Sequence, residues 1–168
     1  ARGRDYNAGG ARYNNTFIQM VGLGSITDCL SAIRSQVFDA PTDGAPASRL
    51  TLERLVQSLD QDFAGEELLR QRLTHRTHKY GNDDDYADRL MLEVFQACFD
   101  QVDGRPDARG GQYRVEMLPT TCHVYCGSGT GAMPDGRKAG LPLSEGISPV
   151  QGADRRGPTA VIKSAAKM

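Results

Sequence analysis

The chain has 168 residues, which is enough for one domain with a hydrophobic core and too few for two ordinary domains. Its 20 basic and 21 acidic residues nearly cancel, which argues against nucleic-acid binding through a strongly basic surface. No apolar run approaches the length of a membrane-spanning helix, and residues 1–10 lack the apolar core of a signal peptide.

Glycine and proline predict a chain rich in loops and turns. The 19 glycines and 8 prolines are spread along the sequence without a collagen-like period. Long glycine-rich loops need a scaffold to hold them, and few segments of this chain supply one. We therefore expect this chain to be part of a larger protein.

The first predicted helix runs from about residue 25 to 38. Ser25 or Thr27 is expected to cap it, with Asp28 in the first turn, where the helix dipole favours negative charge. Residues 39–48 are predicted to form a surface loop. The apolar residues of the helix recur at helical spacing and form one face: Ile26, Cys29, Leu30, Ile33 and Val37.

Two more helical segments follow in the first half. Thr51 is expected to cap the second helix, with Arg54 at the third position. A break at Phe63 and Gly65 precedes a third segment over residues 66–73. The second helix is predicted to bury an apolar stripe made of Leu52, Leu55, Val56 and Leu59.

Two polar segments could hold a metal ion, and each has a structural alternative. His75 and His78 are three residues apart, but their polar neighbours favour solvated loop side chains. The acidic run over residues 83–88 lacks the alternating acids, glycine and final glutamate of an EF-hand. The alternative is that Asn82 or Asp83 caps a long helix with an acidic first turn.

That long helix is expected to end at Gly104-Arg105-Pro106. The pattern then predicts a strand through Tyr113, Val115 and Met117. The glycine run over residues 127–131 has no phosphate-binding lysine partner. The stretch from 133 to 158 is predicted to be irregular, and 159–168 to be a strand or a short helix. The apolar side of the long helix is predicted to comprise Leu90, Val94, Ala97, Cys98 and Val102.

Residues 120–125 are the most strand-like segment of the sequence. In a strand, Cys122, Val124 and Cys126 would share one face and His123 would lie on the other. The C-H-x-x-C spacing could also suggest zinc, although a four-ligand site would need partners from elsewhere. The four cysteines lack the spacing of a small secreted framework and are expected to be reduced thiols, and no bound metal is predicted.

Seven segments spread in order over nearly the whole chain resemble the glycyl-radical enzyme superfamily. The resemblance is to the dehydratase and lyase branch related to hydroxyproline dehydratase and choline trimethylamine-lyase, and more distantly to pyruvate formate-lyase. The segments are G-G-A-R-Y-N (9–14), G-L-G-S-I-T-D (22–28), K-Y-G-N-D-D-D-Y-A-D (79–88), M-L-P-T-T-C-H-V-Y (117–125), P-D-G-R-K-A-G (134–140), L-S-E-G-I-S-P-V-Q-G-A-D (143–154) and G-P-T-A-V-I-K-S-A-A-K-M (157–168).

The resemblance implies an α/β fold, with residues 1–168 forming the C-terminal part of a ten-stranded α/β barrel with mostly helices, long loops and few strands. It implies a cytoplasmic, anaerobic lyase in which a glycyl radical oxidises a cysteine. The resulting thiyl abstracts hydrogen from a small-molecule substrate before water or another group leaves. An activating enzyme that uses S-adenosylmethionine and an iron–sulfur cluster installs the radical, and such enzymes are often homodimers.

Two motifs of the family are absent from this sequence. The family's thiyl cysteine lies in a Gly-Cys-Val-Glu type of loop, and no cysteine here has those neighbours. The radical glycine lies in an Arg-Val-x-Gly motif, whereas Arg114-Val115 is followed by Glu116 and Met117. We therefore expect no catalytic residue in this chain, both motifs outside it, and no activity from the chain alone.

The resemblance assigns one substrate-binding residue. Thr120 matches the pocket-facing threonine of the dehydratase branch, and its hydroxyl could hydrogen-bond a substrate carboxylate or amine. The alternative is that Thr120 only satisfies backbone groups near Pro119. Cys126 stands where phenylalanine is usual, which is expected to change the local packing.

Two other functions stay open at this point. The chain could be a non-catalytic scaffold or relic subunit that associates with other barrel pieces through apolar helix faces and unpaired strand edges. It could also be an acid-rich metal-binding module centred on residues 83–88.

Overall fold

The computed structural model describes residues 3–39 and 50–168, so most of the predicted loop over 39–48 lies outside the described residues. Helices dominate, and two short strands accompany them. In chain order the elements are a 3-10 turn (Tyr6–Ala8), β1 (Thr16–Gln19), α1 (Leu23–Ile33) continued by a π-helical turn (Arg34–Phe38), α2 (Leu52–Asp60), α3 (Glu67–His75), α4 (Asp85–Val102), β2 (Tyr113–Glu116), α5 (Cys122–Ser128) and α6 (Pro158–Ala165).

The two strands form a parallel pair. Thr16 lies opposite Tyr113, and Gln19 lies opposite Glu116 at the carboxyl ends. Parallel strands need a crossover connection, and here α1 to α4 supply it. A two-stranded sheet is marginal by itself, and Phe17 in β1 remains 58% exposed. A small sheet among many helices agrees with the expected fold class, which has mostly helices and few strands.

The start of α1 differs from the prediction. Gly22, with φ +82°, is the N-cap, and neither Ser25 nor Thr27 caps the helix. Both side chains are buried inside α1, so the predicted caps are wrong. Gly22 can adopt the left-handed conformation at little cost, and this conformation turns the chain from β1 into the helix three residues earlier.

The second helix confirms its predicted cap but buries less than predicted. Thr51 Oγ1 accepts a hydrogen bond from Arg54 N at 3.2 Å. Leu55 is buried, whereas Leu52 and Val56 are 42% and 53% exposed. The predicted break is confirmed, because Phe63 has a positive φ of 60° ahead of α3.

The long helix α4 begins one residue later than its nearest predicted cap. Asp84 is the N-cap, and its Oδ1 accepts from Tyr86 N at 3.0 Å. Gly104, with φ +75°, follows the end of the helix and confirms the predicted stop. Ala97 and Cys98 are exposed, contrary to the prediction, because the buried residues lie in the first half of the helix.

Among the residues that the structure describes, the buried apolar side chains form two small clusters instead of one continuous core. One gathers Ala32, Val37, Leu50, Leu55, Phe63, Leu69 and Leu73 around α1, α2 and α3. The other comprises Leu23, Tyr80, Ala87 and Met91. Large apolar side chains are exposed elsewhere, among them Leu68 (84%), Tyr125 (81%) and Tyr13 (77%). Exposed apolar surface of this kind is typical of interfaces.

The C-terminal third follows the predicted irregular course between α5 and α6. Residues 158–165 form a helix, which settles the strand-or-helix alternative, and Pro158 occupies its first turn. Over residues 3–39 and 50–168, no helix has both the length and the apolar character needed to cross a bilayer.

Candidate substrate-binding site at the strand exits

The carboxyl ends of β1 and β2, which we call the strand exits, lie side by side and define the candidate site. In parallel α/β folds, ligands bind beyond the carboxyl ends of the strands, where loops carry the polar side chains. Gln19 ends β1, and the chain leaving β2 passes through Leu118 to Thr120. Gln19 Nε2 donates to the Leu118 carbonyl at 2.7 Å and to Thr120 Oγ1 at 3.4 Å. The structure therefore places Thr120 beside the carboxyl ends of both strands.

The Thr120 side chain is partly exposed and accepts a second hydrogen bond. Its Oγ1 accepts from Cys122 N at 3.4 Å, in addition to the contact from Gln19. Both partners are donors, so the hydroxyl hydrogen of Thr120 stays available to donate to another group. The hydroxyl can therefore act as a hydrogen-bond donor beyond the strand exits.

The strand predicted over residues 120–125 is wrong. Residues 122–128 form the helix α5, whose buried positions are His123 and Gly127. These two residues are four apart, so they share a helical face, whereas Val124 and Cys126 are exposed. Pro119 cannot donate a ladder hydrogen bond, which ends the strand before this segment, and packing then overrides strand propensity.

Gly127 explains how closely α5 packs against the following loop. A Cβ at this position would lie 2.7 Å from Pro142 Cα and 2.9 Å from Leu143 N. The backbone of residues 141–143 therefore crosses α5 too closely for any residue with a Cβ at position 127. The spacing of His123 and Gly127 is a helical signal in the sequence, but the β-branched and aromatic residues around it masked that signal.

His123 is buried and contacts groups on both sides of its ring. Its Nδ1 lies 2.6 Å from the Thr120 carbonyl, and its Nε2 lies 3.6 Å from Glu145 Oε1. Its own carbonyl accepts from Leu143 N at 3.2 Å. From the sequence, His123 was expected on a strand face opposite the cysteines and was considered only as part of a zinc spacing, not as a partner of Thr120.

The segment from 143 to 148, which we call the strap, joins the strand exits to α1. Ser144 N donates to Ser25 Oγ at 2.9 Å, and Ser25 N donates to Ser144 Oγ at 3.0 Å. Ile147 N donates to the Met117 carbonyl at 3.1 Å, just past the end of β2. The strap thus fixes Glu145 close to His123.

A second group of buried charged residues lies around Asp28 of α1. Asp28, predicted in the first turn of the helix, lies beyond the first turn of α1 and is buried, and its Oδ1 accepts from Tyr80 N at 2.9 Å. Its Oδ2 lies 3.9 Å from Lys79 Nζ and accepts no hydrogen bond within the described part of the chain. Burial raises the pKa of Asp28 to about 7, against the attraction of Lys79. Lys79 Nζ also donates to the Asp135 carbonyl at 3.1 Å.

These residues border a cavity of about 360 Å³ that is also lined by Arg70, Arg137 and Arg155. The Arg137 guanidinium is buried and donates to five backbone carbonyls, among them Gly131 and Gly127 at 2.7 Å each. Sequence reasoning missed this group. Two features of the sequence pointed to this group. Asp28 lies among the apolar positions of the first predicted helix, and Arg137 belongs to the P-D-G-R segment.

The acidic run does not form a calcium loop. The carboxylates of Asp83, Asp85 and Asp88 converge on Lys167 Nζ at 3.0, 2.8 and 2.7 Å. The ammonium group takes the place that a cation would occupy and ties the end of α6 to the start of α4. Within residues 3–39 and 50–168, no group of three His, Cys, Asp or Glu side chains is arranged to hold a metal ion.

His75 and His78 are exposed, as predicted, although His75 ends α3 and does not lie in a loop. His78 Nδ1 lies 2.7 Å from Asp84 Oδ2. All four cysteines are free thiols. Cys29 is the buried one, and burial raises the pKa of its thiol well above the ordinary value. A buried thiol of raised pKa is a packing residue and not a reactive one.

Comparison with known proteins places this geometry in a family. The family described as pyruvate formate lyase-like matches residues 1–127. Trans-4-hydroxy-L-proline dehydratase of Clostridioides difficile is 52% identical over 167 residues, which are 99% of this chain and 20% of the relative. Isethionate sulfite-lyase of Bilophila wadsworthia is 34% identical over 90% of the chain and 17% of its own length.

Solved structures agree with the sequence relatives. The crystal structure of the Clostridioides difficile hydroxyproline dehydratase with trans-4-hydroxy-L-proline bound matches with a TM-score of 0.88 over 99% of this chain and 20% of its own, at 52% identity. The B12-independent glycerol dehydratase from Clostridium butyricum matches with a TM-score of 0.84 over 96% of this chain and 20% of its own, at 38% identity. The chain spans about a fifth of the length of these relatives.

Both the family match and the relatives agree with the seven segments quoted from the sequence. The relatives are dehydratases and lyases, which is the branch that the resemblance indicated. The chain belongs to the pyruvate formate lyase-like family of the glycyl-radical enzyme superfamily.

Proposed function

We propose that the chain is one wall of a glycyl-radical dehydratase, and that it carries part of the substrate pocket but not the radical residues. The 52% identity to a hydroxyproline dehydratase over nearly the whole chain is the observation that carries this proposal. Two parallel strands whose polar side chains meet at their carboxyl ends support a role in a barrel wall. The remaining strands of a ten-stranded barrel would come from the rest of the polypeptide.

The reaction would be loss of water from a small hydroxylated substrate, and trans-4-hydroxy-L-proline is the one to test first. A cysteine and a glycine outside this chain would supply the radical chemistry, after activation by a radical S-adenosylmethionine enzyme with an iron–sulfur cluster. None of the four cysteines has the neighbours of the family's thiyl cysteine. The chain alone would be inactive, and the full enzyme would be a cytoplasmic homodimer.

Within this enzyme, Thr120 would bind the substrate. Its hydroxyl accepts from Gln19 and Cys122, which leaves its hydrogen free for a substrate oxygen. A substrate carboxylate would be a strong acceptor, since hydrogen bonds to charged groups exceed neutral ones. The chain's contribution would thus be substrate binding and orientation and not bond cleavage.

The proposal predicts that Thr120→Val raises the KM for trans-4-hydroxy-L-proline. Loss of one hydrogen bond to a charged group is expected to raise KM about 10- to 100-fold. Thr120→Ser, which keeps the hydroxyl, should stay close to the unmodified enzyme. The measurement is anaerobic turnover by the full polypeptide after activation.

Thr121→Val is the matched control, because Thr121 is exposed and its side chain makes no cap hydrogen bond to α5. It should leave KM unchanged. No turnover of the hydroxyproline would sink the choice of substrate. A larger effect at Thr121 than at Thr120 would contradict the assignment of the pocket residue.

A further inference from the structure

His123 holds the carbonyl of Thr120 through a short contact. The Nδ1···O distance is 2.6 Å, and the ring is buried. A carbonyl oxygen can only accept, so Nδ1 must carry the proton in this contact. The buried imidazole thus donates to the backbone of the residue whose hydroxyl faces the strand exits.

The turn that carries Thr120 is fixed largely by side chains. The Leu118 carbonyl accepts from Gln19 Nε2, and the Thr120 carbonyl accepts from His123 Nδ1. Pro119 between them has no N–H to contribute. The orientation of this turn, and with it that of the Thr120 hydroxyl, therefore depends on two side chains from β1 and α5.

The ring of His123 has the strap on its opposite side, at a distance beyond hydrogen bonding. Its Nε2 lies 3.6 Å from Glu145 Oε1 in the strap, and Leu143 N, also in the strap, donates to the His123 carbonyl. Burial and the Nδ1 contact order the side chain before substrate binds, so little ordering is left for the moment of binding. His123 therefore links the strap to the turn at the strand exits.

We propose that His123 is a positioning residue for substrate binding, which acts by donating Nδ1–H to the Thr120 carbonyl and so orienting the Thr120 hydroxyl. The inference rests on the proposed function of Thr120. His123 itself does not touch the substrate. Its loss would therefore change binding through Thr120 and would leave the chemical step in place.

A pair of isosteric variants tests this role in the activated full polypeptide. The amide nitrogen of His123→Asn can take the place of Nδ1, whereas that of His123→Gln reaches the place of Nε2. We expect KM for trans-4-hydroxy-L-proline to rise about 10-fold in the Gln variant and less than about 3-fold in the Asn variant, with kcat little changed in both. If His123 only supported the fold, the Asn and Gln variants, whose amides have similar polarity, would not be expected to differ in KM in this order.

A double-mutant cycle with Thr120→Val separates the two proposals. If His123 acts through Thr120, adding His123→Gln to Thr120→Val should raise KM no further. Multiplicative effects, or rescue by Gln but not by Asn, would overturn the positioning role and leave the Thr120 proposal intact. An unchanged KM in Thr120→Val alone would defeat the proposed function, and the positioning role would fall with it.

Discussion

Replacing Arg137 by lysine is expected to loosen the loop between α5 and the strap. The planar guanidinium reaches five carbonyls at once, with Gly131 and Gly127 at 2.7 Å, while the backbone N–H of Arg137 donates to Asp135 Oδ1 at 3.0 Å. A lysine ammonium is a single point with three donors and cannot reach this set. The Gly127 and Thr130 carbonyls keep a backbone donor, but the Gly131, Leu141 and Pro142 carbonyls would lose the hydrogen bond that Arg137 gives them. A carbonyl left unsatisfied away from water costs about 1–3 kcal/mol.

The effect should appear as faster amide hydrogen exchange over residues 127–143. We expect the local opening free energy to fall by about 3 kcal/mol, which is on the order of a 100-fold rise in exchange rate. The reporting amides include Met133, which donates to the Arg137 carbonyl, and Gly140, which donates to the Thr130 carbonyl. Mass spectrometry of the peptides that cover this loop provides the measurement.

Arg156→Lys is the matched control for this substitution. Arg156 is exposed, and its guanidinium donates to one carbonyl, that of Asn82, at 3.3 Å. Exposed substitutions of this kind usually change stability by less than about 0.5 kcal/mol. Equal exchange in the Arg137→Lys and unmodified proteins would show that the guanidinium does not hold the loop.

Alanine at Gly136 is expected to push the turn over residues 133–137 away from α3. Gly136 has φ +92°, and a Cβ there would lie 2.9 Å from the Arg70 carbonyl and 3.1 Å from Thr74 N. Both atoms belong to the backbone of α3 and cannot move cheaply. We expect the free energy of unfolding to fall by about 1–2 kcal/mol because of the left-handed backbone, and by about a further 1–3 kcal/mol because of the overlap with α3.

Gly140→Ala isolates the backbone part of that cost. Gly140 has φ +76° in the same loop, and a Cβ there would meet nothing within 4 Å. The free energy of unfolding of the Gly140→Ala variant should therefore fall by only about 1–2 kcal/mol. Urea unfolding of both variants, followed by the exchange of α3, gives the comparison. Equal destabilisation would contradict the close approach of Gly136 to α3.

The helices were predictable where a local signal fixed both ends. The Thr51 cap, the break at Phe63 and Gly65 and the stop at Gly104 were each predicted from the sequence, and the structure confirms them. The start of α1 was missed because Gly22 is a backbone cap, which no side chain announces. The start of α4 was misplaced because four polar residues in a row offer similar caps, and packing selects Asp84.

The candidate site shows where local patterns stop being informative. The segment over residues 120–125 has strong strand propensity, yet it folds as α5 because His123 and Gly127 pack inward. The burial of Asp28 depends on Lys79, more than fifty residues away in the sequence. Likewise, Lys167 and the acidic run come together only through the packing of α6 on α4. Such long-range partners have no local sequence signature.

The family assignment could be made from the sequence because its segments are ordered and specific along the chain. Thr120 as a pocket residue remains a prediction, supported by its place at the strand exits and by its two donor partners. The ten-stranded barrel also remains a prediction, since β1 and β2 are the strands found within residues 3–39 and 50–168.

The coding sequence on both sides of this chain tests most directly whether it is a wall of a larger radical enzyme. DNA sequencing should show one open frame with a Gly-Cys-Val-Glu type of loop upstream and an Arg-Val-x-Gly type of glycine motif downstream. The exposed Tyr125 and Leu68 would then be covered by the flanking parts. Stop codons immediately before and after the 168 codons, or an open frame without either motif, would contradict the account.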